Sequence, residues 1–94
     1  YPAVNRDVAF IAEEHLAHRD VVDAIRGNDL DILENVELFD LYRDVAAIGA
    51  GKKSMAYSLT FRSRDRTLTD EEVNDAHDRI KAALKAALPI EIRE

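Results

Sequence analysis

Strand-like and helix-like segments alternate along this chain in the order β-α-β-β-α-β. That order predicts an α+β fold with two helices on one face of a four-stranded antiparallel sheet. Three observations carry the prediction. Residues 52–62 alternate strictly between apolar and small polar side chains, as a strand covered on one face does. Residues 69–88 place apolar side chains at helical spacing behind a recognisable N-terminal cap. No repeat, low-complexity tract or linker interrupts the sequence.

Each element has its own justification. Residues 7–13, Asp-Val-Ala-Phe-Ile-Ala-Glu, are apolar on both faces, like a central strand. Residues 18–27 form a short helix with Val21, Val22 and Ile25 on its apolar face. Asp20 suits its first turn, and Arg26 followed by Gly27-Asn28 suits its end. Residues 31–43 return as a long strand whose apolar residues fall on both parities, which predicts a bulge or a change of covered face. The loop 44–51, with Gly49 and Gly51, turns the chain back. In 52–62, Met55, Tyr57, Leu59 and Phe61 should lie against the helices, while Ser54, Ala56, Ser58, Thr60 and Arg62 face outward. Thr69 and Glu72 form a capping box, with Leu68 and Val73 as a hydrophobic staple. Val73, Ala76, Ile80, Ala83, Leu84 and Leu88 then line one stripe, and Pro89 ends the helix. The tail Ile90-Glu91-Ile92-Arg93 alternates like a short edge strand. The sum is the ferredoxin-like two-layer sandwich, with one sheet face left open. That scaffold hosts enzymes, ligand sensors and RNA binders, so function must be argued from residues.

The 94 residues fit one domain, 1–94, and Tyr1 in place of Met suggests a piece of a longer polypeptide. With 47 % apolar and 34 % charged residues, wholesale disorder is excluded. The absence of cysteine excludes a disulfide framework, a zinc knuckle and a thiol nucleophile, and fits a cytoplasmic setting. No apolar stretch reaches the ~20 residues of a membrane span, and no signal-peptide pattern opens the chain, so no membrane partner is expected. A net charge of −6 argues against a general nucleic-acid binder, and no DNA partner is expected. The distribution is uneven, however. Residues 51–66 carry five cations against Asp65 alone, a balance of +4 that leaves −10 for the rest. This pattern fits either one basic contact face on an acidic body or a charge-laced solvated edge.

No catalytic constellation emerges. His15 and His18 have no third metal ligand and lack the spacing of a zinc protease helix, so no metal is expected. His77 falls beside the apolar stripe as a boundary residue. Ser54 and Ser58 have no His–Asp arrangement in a recognisable motif. Gly49-Ala50-Gly51-Lys52 precedes a strand, whereas a phosphate cradle opens a helix. An RNA-recognition motif would put aromatics on the outer face of its third strand, but Tyr57 and Phe61 share the core parity here.

Asp40 is the residue out of place. A carboxylate inside Leu-Phe-x-Leu-Tyr has poor strand propensity and gains nothing from unpaired burial. It is either an exposed strand acid, a turn-anchoring acceptor, or a recognition group. In the last case its two oxygens can accept from N1–H and the exocyclic amine of guanine, open in a single-stranded loop. Tyr42, two residues on, would share its face, and Ser54 would add a hydroxyl if the hairpin register places it alongside.

Five segments together carry a family resemblance: Tyr1-Pro2-Ala3-Val4-x-Arg6-Asp7, Val36-Glu37-Leu38-Phe39-Asp40-x-Tyr42, Gly51-Lys52-Lys53-Ser54, Ser58-Leu59-x-Phe61 and the run Arg66–Val73. In that order, over essentially the whole chain, they resemble the C-terminal ferredoxin-fold anticodon-binding domain of bacterial phenylalanyl-tRNA synthetase beta subunits. The resemblance implies contact with the anticodon loop of phenylalanine tRNA, whose first anticodon base is typically guanine. It implies that Asp40 and Tyr42 hold that base with help from Ser54, and that Arg6, Arg43, Lys52, Lys53 and Arg62 contact the RNA backbone. It further implies a parent ligase using ATP and magnesium, with an alpha subunit and other beta-subunit domains as partners. None of that chemistry is expected within these residues, so no cofactor and no catalytic residue is assigned. Two other readings of the same topology remain: an amino-acid-binding regulatory module and a structural docking module.

Overall fold

The computed structural model describes residues 1–27 and 30–93. Strands β1 (Val4–Glu13), β2 (Leu33–Tyr42), β3 (Lys52–Phe61) and β4 (Glu91–Arg93) form one antiparallel sheet in the order β2-β3-β1-β4. Helices α1 (His18–Arg26) and α3 (Asp70–Ala87) cover one face of it. The order and layering are those of the ferredoxin-like sandwich. A third helix, α2 (Val45–Ile48), lies within the segment expected to be a loop. Asp44 caps it, its carboxylate accepting from the Ala46 and Ala47 N–H groups at 3.1 and 3.2 Å. One turn is too short to leave a periodic signature in sequence. Gly49 and Gly51 follow at φ 97° and 72°, the left-handed region that a side chain would strain.

The core forms where the expected faces meet. Val8, Phe10 and Ala12 from β1 and Met55, Tyr57, Leu59 and Phe61 from β3 pack with Val21 and Ile25 of α1 and Val73, Ala76, Ile80 and Leu84 of α3. Strand β1 begins at Val4, three residues before the apolar run, because the ladder to β3 continues to Val4 opposite Phe61. At the start of α3 the Thr69 hydroxyl accepts from the Glu72 N–H at 3.2 Å, while the Glu72 carboxylate receives Arg66 at 3.0 Å. Leu68 and Val73, the staple pair, are both buried. Helix α1 keeps Asp20 in its first turn and Arg26 in its last; Asn28, expected to help end it, lies outside the described residues. His18 is tied into the structure, its Nδ1 lying 2.9 Å from the Tyr57 hydroxyl, and His77 Nε2 lies 2.8 Å from the Asp7 carbonyl oxygen.

The mixed parity of the second strand resolves into two register shifts against β3, between Leu33 and Asn35 and between Leu38 and Asp40. The second decides which residues reach the open face. Val36 and Leu38 lie opposite Leu59 and Tyr57, on the helix-covered face. After the extra residue, Phe39, the parity reverses, and Asp40 and Tyr42 lie opposite Ala56 and Ser54 on the open face. Without that bulge an acid and a phenol would be driven toward the core.

Candidate functional site

Directly paired residues of adjacent strands share a face, so the registers define a patch on the open side of the sheet. One row across it reads Tyr42, Ser54, Ile11 and Glu91, and the next reads Asp40, Ala56, Ala9 and Arg93. Ser54, Ala56 and Ala9, all small, and the larger Ile11 floor a shallow trough. Asp40 and Tyr42 form its β2 rim, and Arg93 and Glu91 its β4 rim, three strand spacings or roughly 14 Å away.

Arg93 bridges that gap. Its Nη1 donates to the Tyr42 hydroxyl at 2.6 Å and stands 3.5 Å from Ser54 Oγ. The Tyr42 phenol is held below its ordinary value, first by the hydrogen bond from Arg93 and then by one with Ser54. Ser54 is buried at 4 % exposure despite its outward parity, because the bridging side chains lie over it. The Asp40 carboxylate, by contrast, is exposed, and among the described residues it has no hydrogen-bond or ion-pair partner. Such an arrangement presents two carboxylate acceptors, a phenol and a guanidinium around a floor of small side chains and Ile11. It can accept from the donor edge of a flat heterocycle and stack or hydrogen-bond it from the side.

The structure therefore brings together Asp40, Tyr42 and Ser54, and it adds Arg93, which sequence reasoning missed. The only sequence signal for Arg93 was its place in a strand that had to pair somewhere; that it reaches Tyr42 follows from β4 joining the edge opposite β2. Lys52 belongs to the same end of the open face, exposed and opposite Glu13. Arg43 is also at this end, but its guanidinium is engaged by Glu14, with Nε 2.7 Å from both carboxylate oxygens.

Three of the expected backbone contacts fall elsewhere. Arg6 pairs with Leu59 and so lies on the helix-covered side. Lys53 has core parity too; it is only 8 % exposed and donates from Nζ to the Leu16 carbonyl at 2.6 Å. A lysine stem packs well among apolar neighbours when its ammonium finds a carbonyl, which is the role the fold gives this one. Arg62 stands beyond the far end of β3, eight residues and roughly 26 Å along the strand direction from Ser54, where it faces Glu34 at 3.4 Å.

Similarity to known proteins extends over essentially the whole chain. A family model described as ferredoxin-fold anticodon binding domain matches residues 1–93. The phenylalanine–tRNA ligase beta subunit of Clostridium tetani is 45 % identical over 93 residues, covering 99 % of this chain and 12 % of the relative. The protein of the same name from Streptococcus mutans is 44 % identical over the same share of each chain. That from Symbiobacterium thermophilum is 45 % identical over 92 % of this chain and 10 % of its own length. The chain thus spans about 12 % of the length of such relatives.

Proposed function

Because the chain belongs to the ferredoxin-fold anticodon binding domain family, we propose that its open sheet face receives the anticodon loop of phenylalanine tRNA. The observation that carries this reading is the exposed Asp40 carboxylate, without a partner among the described residues and turned outward by a bulge beside Tyr42, Ser54 and Arg93. A guanine unstacked from the loop offers N1–H and its exocyclic amine to the two Asp40 oxygens, and the Tyr42 ring lies beside it. Arg93, released from Tyr42, supplies a donor for O6 or a phosphate. Lys52 and Arg43 stand at the same end for backbone contacts, Arg43 after exchange of an exposed ion pair of small worth. The family match favours this reading over the amino-acid sensor and docking alternatives.

In this reading the domain contributes recognition without a cofactor of its own. ATP- and magnesium-dependent aminoacylation belongs to the remainder of a cytoplasmic ligase, with an alpha subunit and further beta-subunit domains as partners. The names of the relatives support that assignment.

The test is a titration of the chain with two RNA hairpins whose loops differ only by guanine or adenine at the first anticodon position. Wild type should prefer guanine, and Asp40→Asn should remove roughly a tenfold preference, the lower end of what a good bidentate base contact gives. Equal affinity of wild type for both hairpins would refute the assignment.

A further inference from the structure

Among the described residues five large apolar side chains are exposed: Tyr1, Phe39, Leu41, Tyr42 and Val45. Four of the five fall within residues 39–45, at the end of the sheet where Asp40, Tyr42, Ser54 and Arg93 meet, although Leu41, opposite Met55, belongs to the helix-covered side. Single exposed apolar residues are ordinary, whereas a cluster marks a contact surface. Phe39 is the informative member. It is 54 % exposed and belongs neither to the buried core nor to the partly buried residues packed against it. It is also the extra residue of the bulge, between Leu38 opposite Tyr57 and Asp40 opposite Ala56. Any inserted residue would reverse the parity of the strand beyond it. Folding thus gives no reason for a phenyl ring at this position.

We propose that Phe39 is a stacking platform for the nucleotide adjacent to the one held at Asp40 and Tyr42, an inference that rests on the anticodon-loop reading above. A phenyl ring has no polar edge with which to identify a base, but its face accepts any base. Phe39 precedes Tyr42 by three residues, roughly 10 Å of strand, so bases on the two rings would be neighbours in an unstacked loop. The partner's chemistry follows from where the charge lies. A protein-docking patch concentrates apolar groups at its centre and keeps charge at the rim. Here the free Asp40 carboxylate sits between Phe39 and Leu41 in the strand, with the Arg93 guanidinium across the trough. An occupant must satisfy an acid and cover an aromatic ring at once, which successive nucleobases do.

The test is an NMR titration of the chain, at low ionic strength, with a hairpin carrying guanine at the first anticodon position. Matched hairpins are abasic on one or the other side of that guanine. Phe39→Leu keeps apolar bulk without the aromatic face, and Phe39→Trp keeps the face; both should melt like wild type, since the ring is 54 % exposed and outside the buried core. Phe39→Leu should bind about tenfold more weakly and Phe39→Trp like wild type. One abasic hairpin should cost wild type a similar factor and cost Phe39→Leu nothing further. Equal affinity of Phe39→Leu and wild type, or losses that simply multiply, would overturn the proposal and give the patch to a protein partner; so would the absence of any shift at Phe39. Indifference of wild type to a guanine-to-adenine exchange sinks the guanine reading instead, and leaves the coupling between Phe39 and its neighbouring base measurable.

Discussion

Tyr57 shows how one residue can bear opposed demands. Its ring is stacked between Phe10, with centroids 5.8 Å apart, and His18, at 5.6 Å, while its hydroxyl meets His18 Nδ1. The side chain is fully buried, and desolvation pushes the phenol up from 10.0 to about 12. An unfolded chain releases this proton near pH 10, but the folded protein keeps it until about pH 12. Above pH 10 the unfolded state therefore binds fewer protons, and stability falls as pH rises through that window. Below pH 10 the contribution is fully present. Denaturant unfolding of wild type and Tyr57→Phe across this range should show the difference between them shrinking as pH rises. A constant difference would mean that the phenol titrates alike in both states. Lys53 and Asp40 make the complementary point. Both are charged residues within strands, yet one is consumed by the Leu16 carbonyl and the other is left free.

At the scale of elements, the start of α3 offers the clearest stability prediction. Thr69 satisfies the Glu72 N–H, and Asp70, Glu71 and Glu72 place negative charge at the positive end of the helix dipole. Thr69→Ala should lower unfolding free energy by about 0.5–2 kcal/mol without changing RNA affinity, since α3 lies across the sheet from the trough. An unchanged denaturation midpoint would show that Arg66 and Glu72 hold the helix start unaided. The bulge in β2 is the element-scale device on which the proposed recognition rests. It turns two consecutive open-face positions outward and leaves Phe39 unpaired beside them.

For the whole molecule, charge decides what kind of RNA binder this can be. A net charge of −6 repels a phosphate backbone, so affinity cannot rest on many ionic contacts. With Arg6 and Lys53 on the helix-covered side and Arg62 at the far end, Lys52 and Arg43 are the cations left near the trough apart from Arg93. Two phosphate contacts to a single strand give a slope of log K against log salt of roughly −1.4. Binding isotherms over a range of salt should show this shallow dependence, and charge reversal at Arg62 should leave it unchanged. A slope of twice that size would mean that the basic end at Arg62, Arg64 and Arg66 also touches RNA.

The order of the strands and of the two covering helices, the core face of β3, the cap and staple of α3 and the irregularity of β2 were all legible in the amino-acid sequence, because each is a pattern within a few consecutive residues. The adjacency of Asp40 and Tyr42 was legible for the same reason. What only the tertiary structure decided is non-local. The position of the bulge set which way those two residues point, and strand pairing put Arg6 on the covered side, whereas the core parity of Lys53, two residues before Met55, was already in the alternation of β3. The same pairing carried Arg93 across the sheet to a tyrosine 51 positions earlier in the chain. Periodicity specifies which face a strand buries, but only the assembled ladder determines which side chains become neighbours across it.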